Sequence, residues 1–218
     1  MPEWIDLFNG KELTRWSGLD DAEHEWATSE DTPLQPADPT RFDIRPGEGL
    51  LVNGPSGRTA NLISDVAHGD CELHIEFVLP KGSNSGVYFG GHYEIQVFDS
   101  WADEEVTYQS CGGIYCQWID GQPVGGTAPN VNASRPPGKW QTYDVIFRAP
   151  RFDDTGRKTS DALFESVIWN GQTVHENVSV GGPTRAAVSG PERPTGPLML
   201  QGDHGPVAYR NIRIKLLT

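Results

Sequence analysis

From residue 71 to residue 79 the chain alternates without a break, with Leu73, Ile75 and Phe77 on one set of positions and Glu72, His74 and Glu76 on the other. Successive side chains of a strand point to opposite faces, so this spacing predicts one buried and one wet face and leaves His74 in solvent. The period returns at 140–148, where Tyr143, Val145 and Phe147 alternate with Thr142, Asp144 and Arg148, and at the carboxyl end, where Ile212, Ile214 and Leu216 alternate with Arg213 and Lys215. Shorter β-type runs stand at 4–8, 50–53, 61–64, 112–118, 162–169, 174–180 and 197–201, separated by Gly, Pro and Asn. Asn170-Gly171 and Gly90-Gly91 are hairpin signals, and the second predicts that the runs before and after it are antiparallel neighbours. Between Asp20 and Pro46 the pattern fails: a polar stretch is followed by Pro33, Pro36 and Pro39, which reads as a long surface loop.

Amphipathic helical spacing is scarce, while 25 Gly and 17 Pro punctuate the short runs throughout. About a dozen strands without an internal repeat or linker predict an all-β fold of two packed antiparallel sheets, a β-sandwich or jelly roll, forming one domain over residues 1–218.

One strand carries more chemistry than the others. In Tyr93-Glu94-Ile95-Gln96-Val97-Phe98-Asp99-Ser100, Tyr93, Ile95 and Val97 share one face and Glu94 and Gln96 the other. Asp99 is out of step, and a bulge near Phe98 would return it to the face of Glu94. Strand residues two apart are separated by about 6.6 Å, and glycosidic chemistry places its carboxyl pair roughly 5 to 10 Å apart, so two carboxyl groups on this face would suit a sugar-processing site. The plain alternative is a half-exposed strand with its polar face in water.

Charge narrows the partners. Lys and Arg number 17 against 30 Asp and Glu, and the net charge of −13 repels phosphate backbones and anionic lipid, so neither nucleic acid nor membrane is expected as a partner. No run of about 18 apolar residues exists, and Met1-Pro2-Glu3-Trp4 lacks the basic and apolar regions of a secretory signal. As written the chain reads as cytoplasmic; had a signal been removed, it would read the same and be periplasmic or secreted. Cys71, Cys111 and Cys116 have neither the number of a disulfide framework nor a metal-type spacing and read as free thiols. Asp153-Asp154 reads as a solvated loop pair, with a calcium ligand role as its alternative.

Several blocks in fixed order carry a resemblance over nearly the whole chain: Asp6-Leu7-Phe8-Asn9-Gly10-Lys11, Ser83-Asn84-Ser85-Gly86-Val87-Tyr88-Phe89, the strand from Tyr93 to Ser100, Cys111-Gly112-Gly113-Ile114-Tyr115, Asn132-Ala133-Ser134, Trp140-Gln141-Thr142-Tyr143-Asp144 and Leu200-Gln201-Gly202-Asp203-His204-Gly205. The sequence resembles the bacterial 3-keto-disaccharide hydrolase domain, whose fold is a concanavalin A-like jelly roll related to laminarinase-type glycoside hydrolases. The resemblance implies hydrolysis or lysis of glycosides already oxidised to a ketone at sugar carbon 3. It departs from the family at His92, where an arginine is common, and at Cys116, where glycine is expected. The Glu-x-Asp-x-x-Glu spacing of laminarinase-type enzymes becomes Glu94-x-Gln96-x-x-Asp99, which argues against an ordinary double displacement.

A ketone at carbon 3 acidifies the hydrogen on carbon 2, so a base can remove it, the enolate can expel the group on carbon 1, and water can then add. Such a site needs a base, a donor to the enolate oxygen and an acid for the leaving oxygen. The expected catalytic residues are Glu94 as base with Asp99 or His204 as proton donor. The expected sugar-binding residues are Gln96, Asn84, Tyr88, His92, Tyr115, Gln117, Asn132, Gln201 and Asp203. Asn84 and Asn132 could instead cap local backbone, Tyr88, Tyr115 and Trp140 could be core, and His204 could be an exposed turn residue. No metal-ligand set is legible and no cofactor is implied, although a divalent ion assisting the enolate stays open, as does the oligomeric state. Two other functions remain at this point: a lectin-like module that binds glycan without cleaving it, and a structural domain marked by an exposed apolar patch.

Overall fold

A computed structural model describes residues 3–217, so readings placed on Met1, Pro2 and Thr218 lie outside the described residues. Two antiparallel sheets face each other. The larger runs in the order Gln172–Val180, Ala162–Trp169, Gln141–Arg148, Cys71–Val78, Ala208–Leu216, Arg45–Val52, Ala27–Asp31, with Ile5–Asp6 also pairing with Ala208–Leu216. The smaller runs Tyr93–Phe98, Asn84–Phe89, Gly196–Leu200, Leu62–His68, Trp16–Gly18. The all-β sandwich expected from the alternation is the fold observed.

The alternating apolar positions meet between the sheets. Leu73, Ile75 and Phe77 join Tyr143, Val145 and Phe147 from the large sheet, and Val87, Phe89, Ile95 and Val97 close over them from the small one. The contact is aromatic at its centre: the Phe89 ring centroid lies 5.0 Å from that of Phe147 and 5.3 Å from that of Phe164. Burying these rings is the main favourable term of the fold, since each removes a large apolar area from water. All three cysteines are buried and free, and Cys111 Sγ lies 3.1 Å from the Tyr143 hydroxyl.

Four expectations need correction. The stretch expected to be one loop contains the short 3₁₀ turn Leu19–Asp21 and the strands Ala27–Asp31, Leu34–Gln35, Asp38–Phe42 and Arg45–Val52. Its strands were hidden because outward positions are polar and the inward ones are few: Ser29 is buried and donates its hydroxyl to the Asp31 and Arg45 carbonyls at 2.8 and 2.6 Å, while Phe42 packs in a small separate cluster. The run at 112–118 is broken: Ile114 makes isolated bridges to Ile95 and Thr127, and a strand begins only at Gln117–Ile119. His74 is largely withdrawn from solvent, its Nδ1 2.7 Å from Asp144 Oδ1. The bulge at Phe98 is absent: Tyr93–Phe98 pairs with Asn84–Phe89 in unbroken register to Phe98↔Asn84.

One buried polar side chain fixes the loop from residue 202 to residue 207. Asn53 donates to the carbonyls of Gly202 and Gly205 at 3.1 and 2.7 Å, and its Oδ1 accepts from the Val207 amide at 2.9 Å. Asn53→Ala would leave the Gly205 carbonyl and the Val207 amide without these partners, while the Gly202 carbonyl keeps the Thr59 amide at 2.9 Å, so it should cost about 2 to 3 kcal/mol of stability. Urea unfolding checks this as a lower midpoint at unchanged slope.

Candidate active site

The strand that buries Ile95 and Val97 presents Glu94 and Gln96 on its outer face, as alternation requires, yet both are buried, Glu94 to 3% exposure. Two loops cover this edge strand. From one side the Gln96 amide donates to the Gly113 carbonyl at 2.8 Å and the Tyr115 amide to the Glu94 carbonyl at 3.1 Å. From the other, Thr184 accepts the Glu94 amide on its hydroxyl at 3.1 Å and donates its own amide to the His92 carbonyl at 2.8 Å. The same loop is tied further by Glu192, which accepts from the Tyr93 hydroxyl at 2.5 Å and pairs with Lys158 at 3.0 Å.

The result is a cavity of about 270 Å³ whose floor is Glu94 and Gln96 and whose walls are Asn84, Tyr88, Tyr115, Arg185, Ala186, Gln201 and His204. Glycine makes room for the floor: a Cβ on Gly86 would stand 2.3 Å from Glu94 Oε1, so the carboxyl group lies against bare backbone. Oriented to satisfy its neighbours, the Gln96 amide donates to the Ser85 carbonyl at 2.8 Å and reaches Asn84 Oδ1 and Glu94 Oε1, each at 3.3 Å. Burial pushes the Glu94 carboxyl up to about 8, hydrogen bonding with the Tyr88 hydroxyl pulls it partly back, and the nearby Asp203 charge adds to the rise. Glu94 therefore carries a proton at neutral pH. Burial and the neighbouring Glu94 hold the Tyr88 hydroxyl well above its ordinary value, so it remains a donor.

On the facing wall, His204 Nδ1 meets Asp203 Oδ1 at 2.5 Å. With the proton on Nδ1 shared with the carboxylate, Nε2 is left as an acceptor. Both side chains are about half exposed, but their backbone is not free to wander. Besides Asn53, Arg58 donates to the Asp203 carbonyl at 3.0 Å, and a Cβ on Gly202 or Gly205 would collide with Ala60 O or Ser83 Oγ at 2.6 and 2.4 Å. Gln201, 5% exposed, keeps its side-chain oxygen without a partner at the cavity wall, where a sugar hydroxyl could donate to it.

Of the residues expected from sequence, Glu94, Gln96, Asn84, Tyr88, Tyr115, Gln201 and His204 line one cavity, and Asp203 orients His204. The others lie elsewhere. Asp99, expected on the face of Glu94 as a proton donor, caps a loop instead, accepting the Gly82 amide at 2.8 Å, because the strand keeps its register. Asn132 donates to the Ser100 and Asp103 carbonyls at 2.7 and 3.1 Å and so anchors backbone. His92 is buried in the turn before the strand, with Nδ1 on the Gly90 carbonyl at 2.9 Å, and does not line the cavity. Gln117 packs against Gly182 in a separate small cavity. Trp140 lies under the Arg210 guanidinium, 4.1 Å from its ring centre, and Asp153 caps its own turn through Thr155 and Arg157. Among the described residues no group of three or more His, Cys, Asp or Glu stands together as a metal site.

Sequence reasoning missed Arg185, whose backbone carbonyl accepts the Tyr88 hydroxyl at 3.3 Å at the cavity wall and whose guanidinium stacks at 4.2 Å over Trp118, a residue outside the cavity lining. Its neighbour Ala186 has φ of +63°, a left-handed conformation that a residue with a Cβ adopts at some cost.

Comparison with known proteins agrees with this architecture. The model of the family described as 3-keto-alpha-glucoside-1,2-lyase-like domain matches residues 3–215. A candidate glycosyl hydrolase from Parabacteroides distasonis ATCC 8503 superposes with a TM-score of 0.69 at 26% identity, over 98% of this chain and 84% of that one. A second candidate glycosyl hydrolase from the same organism gives 0.64 at 19% identity, over 99% and 94%. A variant of the alginate lyase Aly36B in complex with alginate tetrasaccharide shares the fold, with a TM-score of 0.51 at 12% identity, over 100% and 98% of the two chains. No curated protein matches the chain.

Proposed function

We propose, since the chain belongs to the 3-keto-alpha-glucoside-1,2-lyase-like domain family, a family of carbohydrate-acting enzymes, that it cleaves the glycosidic bond of 3-keto-glucosides by elimination across carbons 1 and 2. The observation that carries this reading is a buried carboxyl group, Glu94, whose burial favours its protonated form, in one cavity with the His204 imidazole, whose Nδ1 meets the Asp203 carboxylate at 2.5 Å. A carboxyl group that keeps its proton can serve as the acid, and an imidazole facing it across the cavity as the base. His204 Nε2 takes the proton from carbon 2, and the electron pair moves into the carbon 2–carbon 3 bond to give an enolate. The Tyr88 hydroxyl, which keeps its proton in the same cavity, donates to that oxyanion. The enolate then expels the leaving oxygen from carbon 1 as Glu94 gives it a proton, so the released alcohol is neutral and an unsaturated keto-sugar remains.

The sequence reading gave Glu94 the role of base. On this proposal it is the acid instead, because burial favours the protonated form of Glu94. After elimination Glu94 is a carboxylate and His204 an imidazolium, which are the states needed to add water across the new double bond: Glu94 deprotonates the water attacking carbon 1 and His204 protonates carbon 2. Elimination followed by hydration amounts to hydrolysis and restores both groups. A lectin-like binder would need hydrogen bonds and stacking but no carboxyl group with a raised pKa.

Incubation with a 3-keto-glucoside and with its unoxidised parent tests the reading. Without the ketone the carbon 2 hydrogen is not acidic, so the parent should be cleaved at least about 10⁴-fold more slowly, a barrier difference of about 5 kcal/mol or more. Equal rates on the two would remove the elimination.

A further inference from the structure

A second cavity, about 350 Å³, opens beside the first, and the two share Asn84, Gln96 and Tyr115 as a common wall. Glu94, His204, Arg185 and Gln201 line only the first. The reacting sugar must therefore lie there, and whatever it is joined to can extend into the second. On the proposed reading of the active site, the second lobe is where the leaving group sits.

That lobe has a definite chemistry. Phe98, half-buried, offers an apolar surface at the end of the floor strand, and Ser110, Thr107 and Gln109 supply polar groups. Its outer wall carries two carboxylates, Asp103 and Glu105, on exposed loop positions. The wall is built in rather than loosely draped. The Asp103 carbonyl accepts from the Asn132 side chain at 3.1 Å, the Asp103 amide donates to the Ser100 carbonyl at 3.0 Å, and the Ser110 hydroxyl accepts the Thr107 amide at 3.1 Å. No Lys, Arg or His lines this lobe.

We infer that the second lobe selects leaving groups by charge, accepting neutral or cationic ones such as a hexose or an aminodeoxy-hexose and disfavouring anionic ones such as a uronate or a sugar phosphate. Asp103 and Glu105 are the specificity-determining residues. Their effect is moderate because they face water, where a single charge contact changes an equilibrium by only a few-fold, and it weakens with salt.

The test compares three 3-keto-glucosides that differ only in the leaving group, which is glucose, 6-amino-6-deoxyglucose or glucuronate. At low ionic strength kcat/KM should be about three- to tenfold lower for glucuronate than for glucose, and for the amino sugar equal to or above that for glucose. In the Asp103→Asn, Glu105→Gln double variant, and in the unaltered protein at 0.5 M salt, the ratio of glucuronate to glucose substrate should move towards one. Equal efficiency on all three, or a preference that survives both the double substitution and the salt, overturns the charge selection while leaving the elimination standing. Failure to cleave even the neutral keto-glucoside overturns the elimination and this inference with it.

Discussion

Glu94→Gln should lower kcat on a 3-keto-glucoside by about 10²- to 10⁴-fold, the usual contribution of a positioned proton donor. The amide has nearly the shape of the carboxylic acid it replaces, and Glu94 is neutral at working pH because burial holds its proton on. Packing against Gly86 and the contact with Gln96 should therefore persist. The amide can still hydrogen-bond to the leaving oxygen, but it cannot transfer a proton. The loss should fall on turnover and leave KM nearly unchanged, as expected when an interaction is made only in the transition state. Steady-state kinetics beside a thermal melt separate this from misfolding. A kcat within tenfold of the original in a folded protein would take Glu94 out of the proton transfer.

His204→Ala should bring a loss of similar size, about 10²- to 10⁴-fold, from the opposite wall. The His204 side chain is half exposed, and its loop is held through backbone groups by Asn53 and Arg58, so removing the ring should leave the loop in place. The space it vacates opens to solvent, and added imidazole should restore part of the rate. Rescue distinguishes a missing base from a displaced loop, since free imidazole cannot rebuild backbone. A variant with full activity would assign carbon 2 deprotonation to another group.

Much of this arrangement could be read before any coordinates. Strict alternation at 71–79 and 140–148 reflects a sheet with one face in the core, and the two runs pair directly, Ile75 opposite Tyr143. The same rule put Glu94 and Gln96 on the face away from Ile95 and Val97. It could not tell that this face would be roofed by loops, because burial by distant segments leaves no period in the strand itself. Asp99 was misplaced for a related reason: a bulge is a choice the backbone makes, and the Phe98↔Asn84 pairing shows it was not made. Arg185 was invisible because its loop carries no motif, and only the left-handed Ala186 beside it marks the site. Asn53 ended a predicted strand without any hint that its side chain would bolt down the Asp203-His204 loop. The strands from 27 to 52 were obscured by prolines and by a buried serine standing where an apolar residue would have advertised the inward face.

The reversal of roles between Glu94 and His204 has a physical origin that composition does not show. A carboxyl group on an exposed strand face would be ionised at neutral pH and would serve as a base. Buried beside the Tyr88 hydroxyl and near the Asp203 charge, the same group holds its proton and on the proposed reading serves as the acid. The exposed imidazole, paired with Asp203, is left to accept the proton.

The pH dependence of kcat/KM on a 3-keto-glucoside, followed from neutrality to pH 10, tests this assignment most directly because it reports protonation states of the free enzyme. Glu94 must be protonated to act as the acid, and its carboxyl group titrates at about 8. The account predicts that kcat/KM falls as pH rises through about 8, and that Glu94→Gln, whose residual activity has no such proton to lose, lacks this limb. A kcat/KM that instead rises through about 8 would make the Glu94 carboxylate the base and contradict the mechanism.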